Sequence, residues 1–206
     1  FCHARGVKVH VALNTLVKDS ELPALYEQLA AACAAGADAL IVQDLAVARL
    51  ARTLAPQMPL HASTQLAIHD PAGVRLMREL GFSRVVLARE LSFSEIKTIL
   101  DSTDLEVEVF IHGALCMCVS GMCTLSSILG GRSGNRGRCA QPCRLPYRTD
   151  GREGCLLSTR DLCALNLLDE LRDAGVDSFK IEGRLKRPEY VAAVAAAYRR
   201  AIDHPE

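Results

Sequence analysis

Hydrophobic and polar positions alternate along this chain in two rhythms. Short runs rich in β-branched residues, such as Lys8 to Asn14 (KVHVALN) and Asp38 to Asp44 (DALIVQD), have the length and composition of buried strands. Between them Leu22, Leu25, Tyr26, Leu29 and Cys33 follow the spacing that puts apolar side chains on one helix face, and Gly36 ends the run. Further strands are predicted at Pro59 to Thr64, Arg84 to Arg89 (RVVLAR), Glu106 to His112 (EVEVFIH) and Ser178 to Gly183 (SFKIEG). Asp70 and Pro71 start a helix with Val74, Met77 and Leu80 inward. Ser92 and Glu95 form a capping box ahead of Ile96, Ile99 and Leu100. Leu162, Leu165, Leu168 and Leu171 predict a helix ending near Gly175, and Pro188 starts a last one over Val191, Val194 and Tyr198.

Five of the six strands are followed directly by a helix, which implies a parallel sheet covered by helices. A (β/α)8 barrel lacking its first two units satisfies this, and so does an open doubly wound sheet. Asn14, Asp44, Ser63, Thr64, Gln65, Arg89, His112, Glu182 and Arg184 lie at or just beyond C-terminal strand ends. In a barrel such positions converge on one mouth, where active sites are built. Ordinary loops also begin with polar residues, which accounts for part of the set. An Arg, a His and a Glu on three separate strand ends favour the α/β, TIM-barrel-like reading. The expectation is one partial TIM-barrel-like domain over residues 1–206, its N-terminal units missing. A Cys-, Arg- and Gly-rich insertion at 113–157 follows the strand ending at His112.

Composition narrows the class. Half of the 206 residues are apolar but only 4% are aromatic, so packing rests on Leu, Val, Ile and Ala. No window holds the roughly 18 apolar residues of a spanning helix. No charged start with an apolar stretch behind it marks a signal peptide, although the sequence opens at Phe1 rather than Met. Nine cysteines, unevenly placed in a chain too large to need disulfide staples, read as reduced, metal-binding or catalytic thiols of a cytoplasmic protein. The net charge is zero, so any charged partner must answer to local charge.

Most of the chemistry sits in the insertion. Cys116 and Cys123 form one pair, Cys139 and Cys143 another, and a Gly/Arg loop bridges them. Structural zinc pairs usually have about two to four residues between cysteines, whereas six separate the first pair here. Iron–sulfur proteins use more varied spacing, which favours a cluster over zinc and leaves unliganded thiols as a third reading. Cys33 reads as core, Cys118, Cys155 and Cys163 are alternative ligands, and Cys2 lies at the chain start. The segment is also basic: Arg132, Arg136, Arg138, Arg144, Arg148 and Arg152, then Arg160, Arg184, Lys186 and Arg187. A cationic rim beside a metal site favours an anionic substrate, a small dicarboxylate or a phosphate backbone. A solvated loop, or arginines paired with neighbouring acids, is the plainer alternative. Tyr147 is the only aromatic there able to stack a base.

The run EVFIHGALCMCVSGMCTLSS (Glu108 to Ser127) resembles the signature of the collagenase-like peptidase family U-32. GGRSGNRGRCAQPCR (Gly130 to Arg144) and SFKIEGRLKRPEYV (Ser178 to Val191) extend the likeness over nearly the whole chain. The resemblance implies a 4Fe–4S cluster and oxygen-independent hydroxylation, with prephenate as the oxygen donor. It implies Cys116, Cys123, Cys139 and Cys143 as cluster ligands. Substrates in the family include a tRNA wobble uridine, a 23S rRNA cytidine and a ubiquinone precursor. The form GRSGNRGRCAQPCRLPY is most similar to the rRNA branch, whose members often carry a further C-terminal domain.

The leading expectation is therefore an iron–sulfur enzyme that hydroxylates a pyrimidine in RNA, rRNA or tRNA. Arg89, Arg184 and the loop arginines are expected to hold an anionic donor, His112 to shuttle protons or orient substrate and Glu182 to act as base. Asn14, Gln65, Arg132, Arg136 and Arg138 are expected at the substrate. A quinone precursor bound with a partner subunit is one rival. A peptidase is another, although no HExxH pattern occurs and a thiol protease requires a Cys–His pair such as Cys116 and His112. A non-catalytic, metal-braced RNA-binding or assembly protein is the third.

Overall fold

The computed structural model describes residues 1–204, so the last two residues of the expected domain lie outside the described ones. Strand β1 (His10–Leu13), helix α1 (Leu22–Ala34), β2 (Ala39–Val42), α2 (Leu45–Leu54), β3 (Leu60–Ala62), α3 (Pro71–Glu79), β4 (Arg84–Val86), α4 (Phe93–Leu100) and β5 (Glu106–Ala114) alternate in chain order. Short helix α5 (Leu125–Gly130), the hairpin β6 (Tyr147–Thr149) and β7 (Arg152–Gly154), and β8 (Asp161–Cys163) follow. Helix α6 (Leu168–Asp173), β9 (Ser178–Ile181) and α7 (Pro188–Asp203) complete the fold.

Local chemistry places the helix starts. Asp44 accepts Ala46 N–H at 2.8 Å and caps α2; Asp70 accepts Gly73 N–H at 2.6 Å and caps α3. Glu95 takes Ser92 N–H at 2.7 Å while Ser92 Oγ takes Glu95 N–H, the expected capping box of α4.

The sheet runs β1-β2-β3-β4-β5-β9, every neighbour parallel. Strictly sequential order, without the reversal of a doubly wound sheet, makes it a curled half-barrel of the TIM type. Alternation along the strands assigns the two faces. Leu40, Val42, Leu60, Val85, Val107, Val109 and Ile111 point outward into the core beneath the helices, against Leu29, Val47, Val74, Met77, Ile99 and Leu171. The concave face is different. Near its base His10, His61, Arg84, Glu108 and Lys180 form a polar layer, with Glu108 taking Lys180 Nζ at 2.6 Å and Arg84 Nη1 at 3.1 Å.

Two expectations are corrected here. Strand β5 runs past His112 to Ala114, because β8 pairs antiparallel with its end and places Leu162 opposite Gly113. The helix expected from Leu162 starts only at Leu168; Leu162 lies in β8 and Leu165–Leu167 form a 3-10 turn. Apolar spacing there matched a helix, but the free edge of β5 took the first residues as a strand.

Candidate functional site

Above the polar layer the strand ends enclose a cavity of about 430 Å³. Its floor is Ala12, Ile41, Val86, Phe110 and Lys180, and Asn14, Gln65, Arg89, Glu182 and Arg184 stand around it. Cys116, Cys123, Cys139 and Cys143 all line it, whereas Cys118, Cys155 and Cys163 do not. Two cysteine pairs with fifteen residues between them thus face one space.

Two glycines allow the loops to close so tightly. At Gly113 (φ +107°) an added Cβ would stand 2.5 Å from the Glu182 carbonyl oxygen. At Gly121 (φ +77°) it would stand 2.6 Å from the Gln65 carbonyl. Side chains then pin the segment. Glu90 accepts Ser120 N–H at 2.8 Å between Cys116 and Cys123. Arg144 donates to the Leu115 carbonyl at 3.0 Å and to Ser158 Oγ at 3.0 Å, and pairs with Asp161 at 3.2 Å. With its amide nitrogen facing acceptors, buried Gln43 reaches Gln65 Oε1 (3.0 Å) and the carbonyls of Asn14 (3.0 Å) and Asn135 (3.3 Å). Sequence reasoning missed Glu90 and Gln43. Gln43 directly follows β2, the one signal that marks it, whereas Glu90 lies in the turn four residues beyond β4 and carries no such signal.

The thiols stand close enough to influence one another. Cys139 Sγ accepts Gln141 N–H at 3.3 Å. Burial pushes the Cys143 thiol up; Arg144 opposes this, and Cys116, Cys139 and Cys123 reinforce it. That mutual repulsion is what a cation among the four sulfurs relieves, with release of protons. Cys118 lies against the group, its thiol raised by burial and then by Cys123 and Cys116. Among the described residues no three thiol, imidazole or carboxylate groups are close enough to hold one ion in common.

The remaining predicted residues divide. Arg89 stacks 5.1 Å from the centre of the Phe110 ring, and Lys180 lies 5.8 Å from the same centre. Arg89 Nη1 reaches the Ala114 carbonyl at 3.4 Å, but its buried Nε has no partner. Glu182 accepts Arg184 N–H at 2.7 Å, and Asn14 donates to Ser63 Oγ at 3.5 Å. Asp44 is spent on Ala46 and Val17 N–H groups. Arg136 pairs with Glu21 at 2.5 Å, away from the cavity. Arg132 and Arg138 are exposed beside the cavity wall rather than in it.

His112 is the main correction. A register shift between Phe110 and His112 breaks the alternation of β5, so Phe110 faces the cavity and His112 faces α7. Its Nε2 lies 3.0 Å from Tyr190 Oη and its Nδ1 3.3 Å from Tyr198 Oη. Tyr198 donates its proton to the Ile111 carbonyl at 2.8 Å, so Nδ1 carries the hydrogen and Tyr190 donates to Nε2. The imidazole anchors α7 and does not reach the cavity.

A half-barrel with its cavity at the C-terminal strand ends is the layout of a barrel enzyme. The chain belongs to peptidase family U32, whose profile matches residues 1–206. It is 43% identical to a 23S rRNA 5-hydroxycytidine synthase of Escherichia coli, over 98% of this chain and 32% of the relative. It is 37% identical to a tRNA hydroxylation protein of Bacillus subtilis, over 98% of this chain and 51% of that one. The chain therefore spans about a third of the first relative and about half of the second. A solved U32 peptidase structure superposes with a TM-score of 0.58 at 12% identity, covering 90% of this chain and 74% of the other, which shows the shared fold.

Proposed function

We infer that this chain forms the catalytic centre of an iron–sulfur enzyme that hydroxylates a pyrimidine of RNA without O2. The observation that carries the reading is the convergence of Cys116, Cys123, Cys139 and Cys143 on one strand-end cavity that the other cysteines do not line. A single zinc ion requires sulfurs within about 2.3 Å of one centre; a 4Fe–4S cluster gives each thiolate its own iron. Four thiols on one cavity match in number the four irons of such a cluster. When bound, the cluster supplies one-electron chemistry beside the substrate.

The chain's own residues do the rest. Arg89, against Phe110 and with its buried Nε unpartnered, offers a cation to an anionic oxygen donor, for which prephenate is the candidate; Lys180 beside it is already paired with Glu108. Glu182 stands at the same wall and can take a proton from the reacting ring. Asn14 and Gln65 present polar groups to the base. The names of the rRNA and tRNA relatives support RNA as substrate, and the greater likeness to the former supports a cytidine in rRNA; the same reading implies the cytoplasm. A thiol-protease reading lacks its pair, because both nitrogens of His112 are engaged by tyrosines.

Anaerobically purified protein is expected to be brown with about four irons per chain. Cys139→Ser should lose that iron and Cys163→Ser should keep it. Colourless protein holding one zinc would sink the cluster. RNA from a deletion strain separates the substrates by mass spectrometry: loss of hydroxycytidine from rRNA is expected, and loss of hydroxyuridine from tRNA instead would move the assignment.

A further inference from the structure

The turn that brings Arg184 to the cavity has an unusual occupant. It runs from Gly183 to Lys186 and is closed by Lys186 N–H donating to the Gly183 carbonyl at 3.0 Å. Leu185, its third residue, has φ +62°. A turn with positive φ there takes Gly or Asn, because a Cβ crowds the backbone. Leu185 is also 74% exposed. Neither burial nor backbone preference accounts for a leucine, and such strain collects at functional sites.

Cations surround it. Arg184 Nη2 donates to the carbonyls of Gly137 (2.7 Å) and Cys139 (3.2 Å), and Arg132 Nε donates to the Arg138 carbonyl at 3.0 Å. Three arginines thus gather on one stretch of backbone whose Gly137 and Cys139 line the cavity. The ion pairs of this region run elsewhere, from Arg136 to Glu21, Arg144 to Asp161 and Arg148 to Glu153. Arg132, Arg138 and Arg184 are left without a carboxylate among the described residues. Like charges held together repel, and a phosphate chain crossing the lip removes that repulsion.

We propose that Leu185 is a wedge for a nucleotide turned out of its RNA strand, with Arg132, Arg138 and Arg184 holding the flanking phosphates. The base enters the cavity and the leucine fills the stack it leaves. A stacked pyrimidine cannot bring its ring into the cavity that the four thiols line, so the base must be extruded. Leucine is among the apolar side chains that separate base steps, and guanidinium groups match phosphate oxygens. The proposal rests on the RNA-hydroxylase reading, and its test distinguishes the two.

Leu185→Gly suits the purpose, because glycine adopts φ +62° freely and the turn survives. Binding of a fluorescein-labelled single-stranded RNA is followed by anisotropy against salt. Hydroxylation is followed by mass spectrometry on total RNA from a strain lacking the protein. Arg138→Ala should lower the slope of log affinity against log salt by about 0.7, whereas Arg49→Ala on α2 should leave it unchanged. Leu185→Gly should keep the slope, the melting temperature and the iron, yet hydroxylate about tenfold more slowly, the order of one lost base-stacking contact. Wild-type hydroxylation in Leu185→Gly removes the wedge, and an unchanged slope in Arg138→Ala removes the phosphate grip. Wild-type protein that binds RNA with an arginine-dependent slope but hydroxylates none supports the grip and defeats the hydroxylase reading. Wild-type protein that binds no RNA defeats both.

Discussion

Replacing Glu108 by glutamine asks whether the polar layer beneath the cavity is one electrostatic unit. Glu108 is 5% exposed and accepts Lys180 Nζ at 2.6 Å, Ser178 Oγ at 2.9 Å and Arg84 Nη1 at 3.1 Å. Glutamine keeps the shape but removes the charge. Arg84 retains Glu106 at 2.7 Å, while Lys180 loses its carboxylate. Breaking a buried pair from one side costs roughly 3–5 kcal/mol. The Lys180 side chain is 28% exposed, so solvent screens part of the loss and about 3 kcal/mol is expected. For a chain of this size that lowers the melting temperature by about 6–12 °C, measured by far-UV circular dichroism at neutral pH. The acid limb gives a second reading. Burial alone would raise the Glu108 carboxyl, but Lys180, then Ser178 and Arg84, hold it below its ordinary value of 4.5. A depressed carboxylate contributes stability above its unfolded pKa and loses it as pH falls through the folded one. Wild type and Glu108→Gln should therefore converge in acid. Equal melting at neutral pH, or a gap that persists in acid, refutes the coupling. Lys180→Met combined with Glu108→Leu should recover part of the loss, because an apolar pair leaves no stranded ammonium.

Other outcomes follow from single contacts. Burial, then Arg84 and His10, push His61 down to about 4 from 6.5. The unfolded chain takes that proton first, so stability should fall by about 3 kcal/mol as pH drops across this window, and His61→Gln should flatten the profile in urea titrations. Gly113→Ala adds a Cβ 2.5 Å from the Glu182 carbonyl; it should cost about 1–3 kcal/mol and reduce hydroxylation through displacement of Glu182. Leu29→Ala, at a side chain only 1% exposed, should cost about 2–5 kcal/mol in urea unfolding and leave the iron content of folded protein unchanged.

The arrangement divides labour between two faces of one sheet. The outward apolar face docks helices, whereas the concave face carries charge in its lower layer and thiols, arginines and a carboxylate above.

What the sequence determined by itself was whatever depends on near neighbours. Alternation and helical spacing located all six parallel strands, and short-range hydrogen bonding explains why the caps at Asp70 and Ser92 were legible. The four thiols were recognisable as a set from their spacing in a Gly-rich segment and from family likeness. Tertiary structure decided the rest, because it depends on pairings between distant residues. Leu162 left its predicted helix because β5 had an edge to fill. His112 turned from the cavity because one shifted register in β5 reversed its face, and no local pattern carries that information. Arg136 found Glu21, 115 residues away, while Arg184 found the backbone beside Cys139. Periodicity reports which side chains are apolar; only the closed backbone settles which way a polar one points.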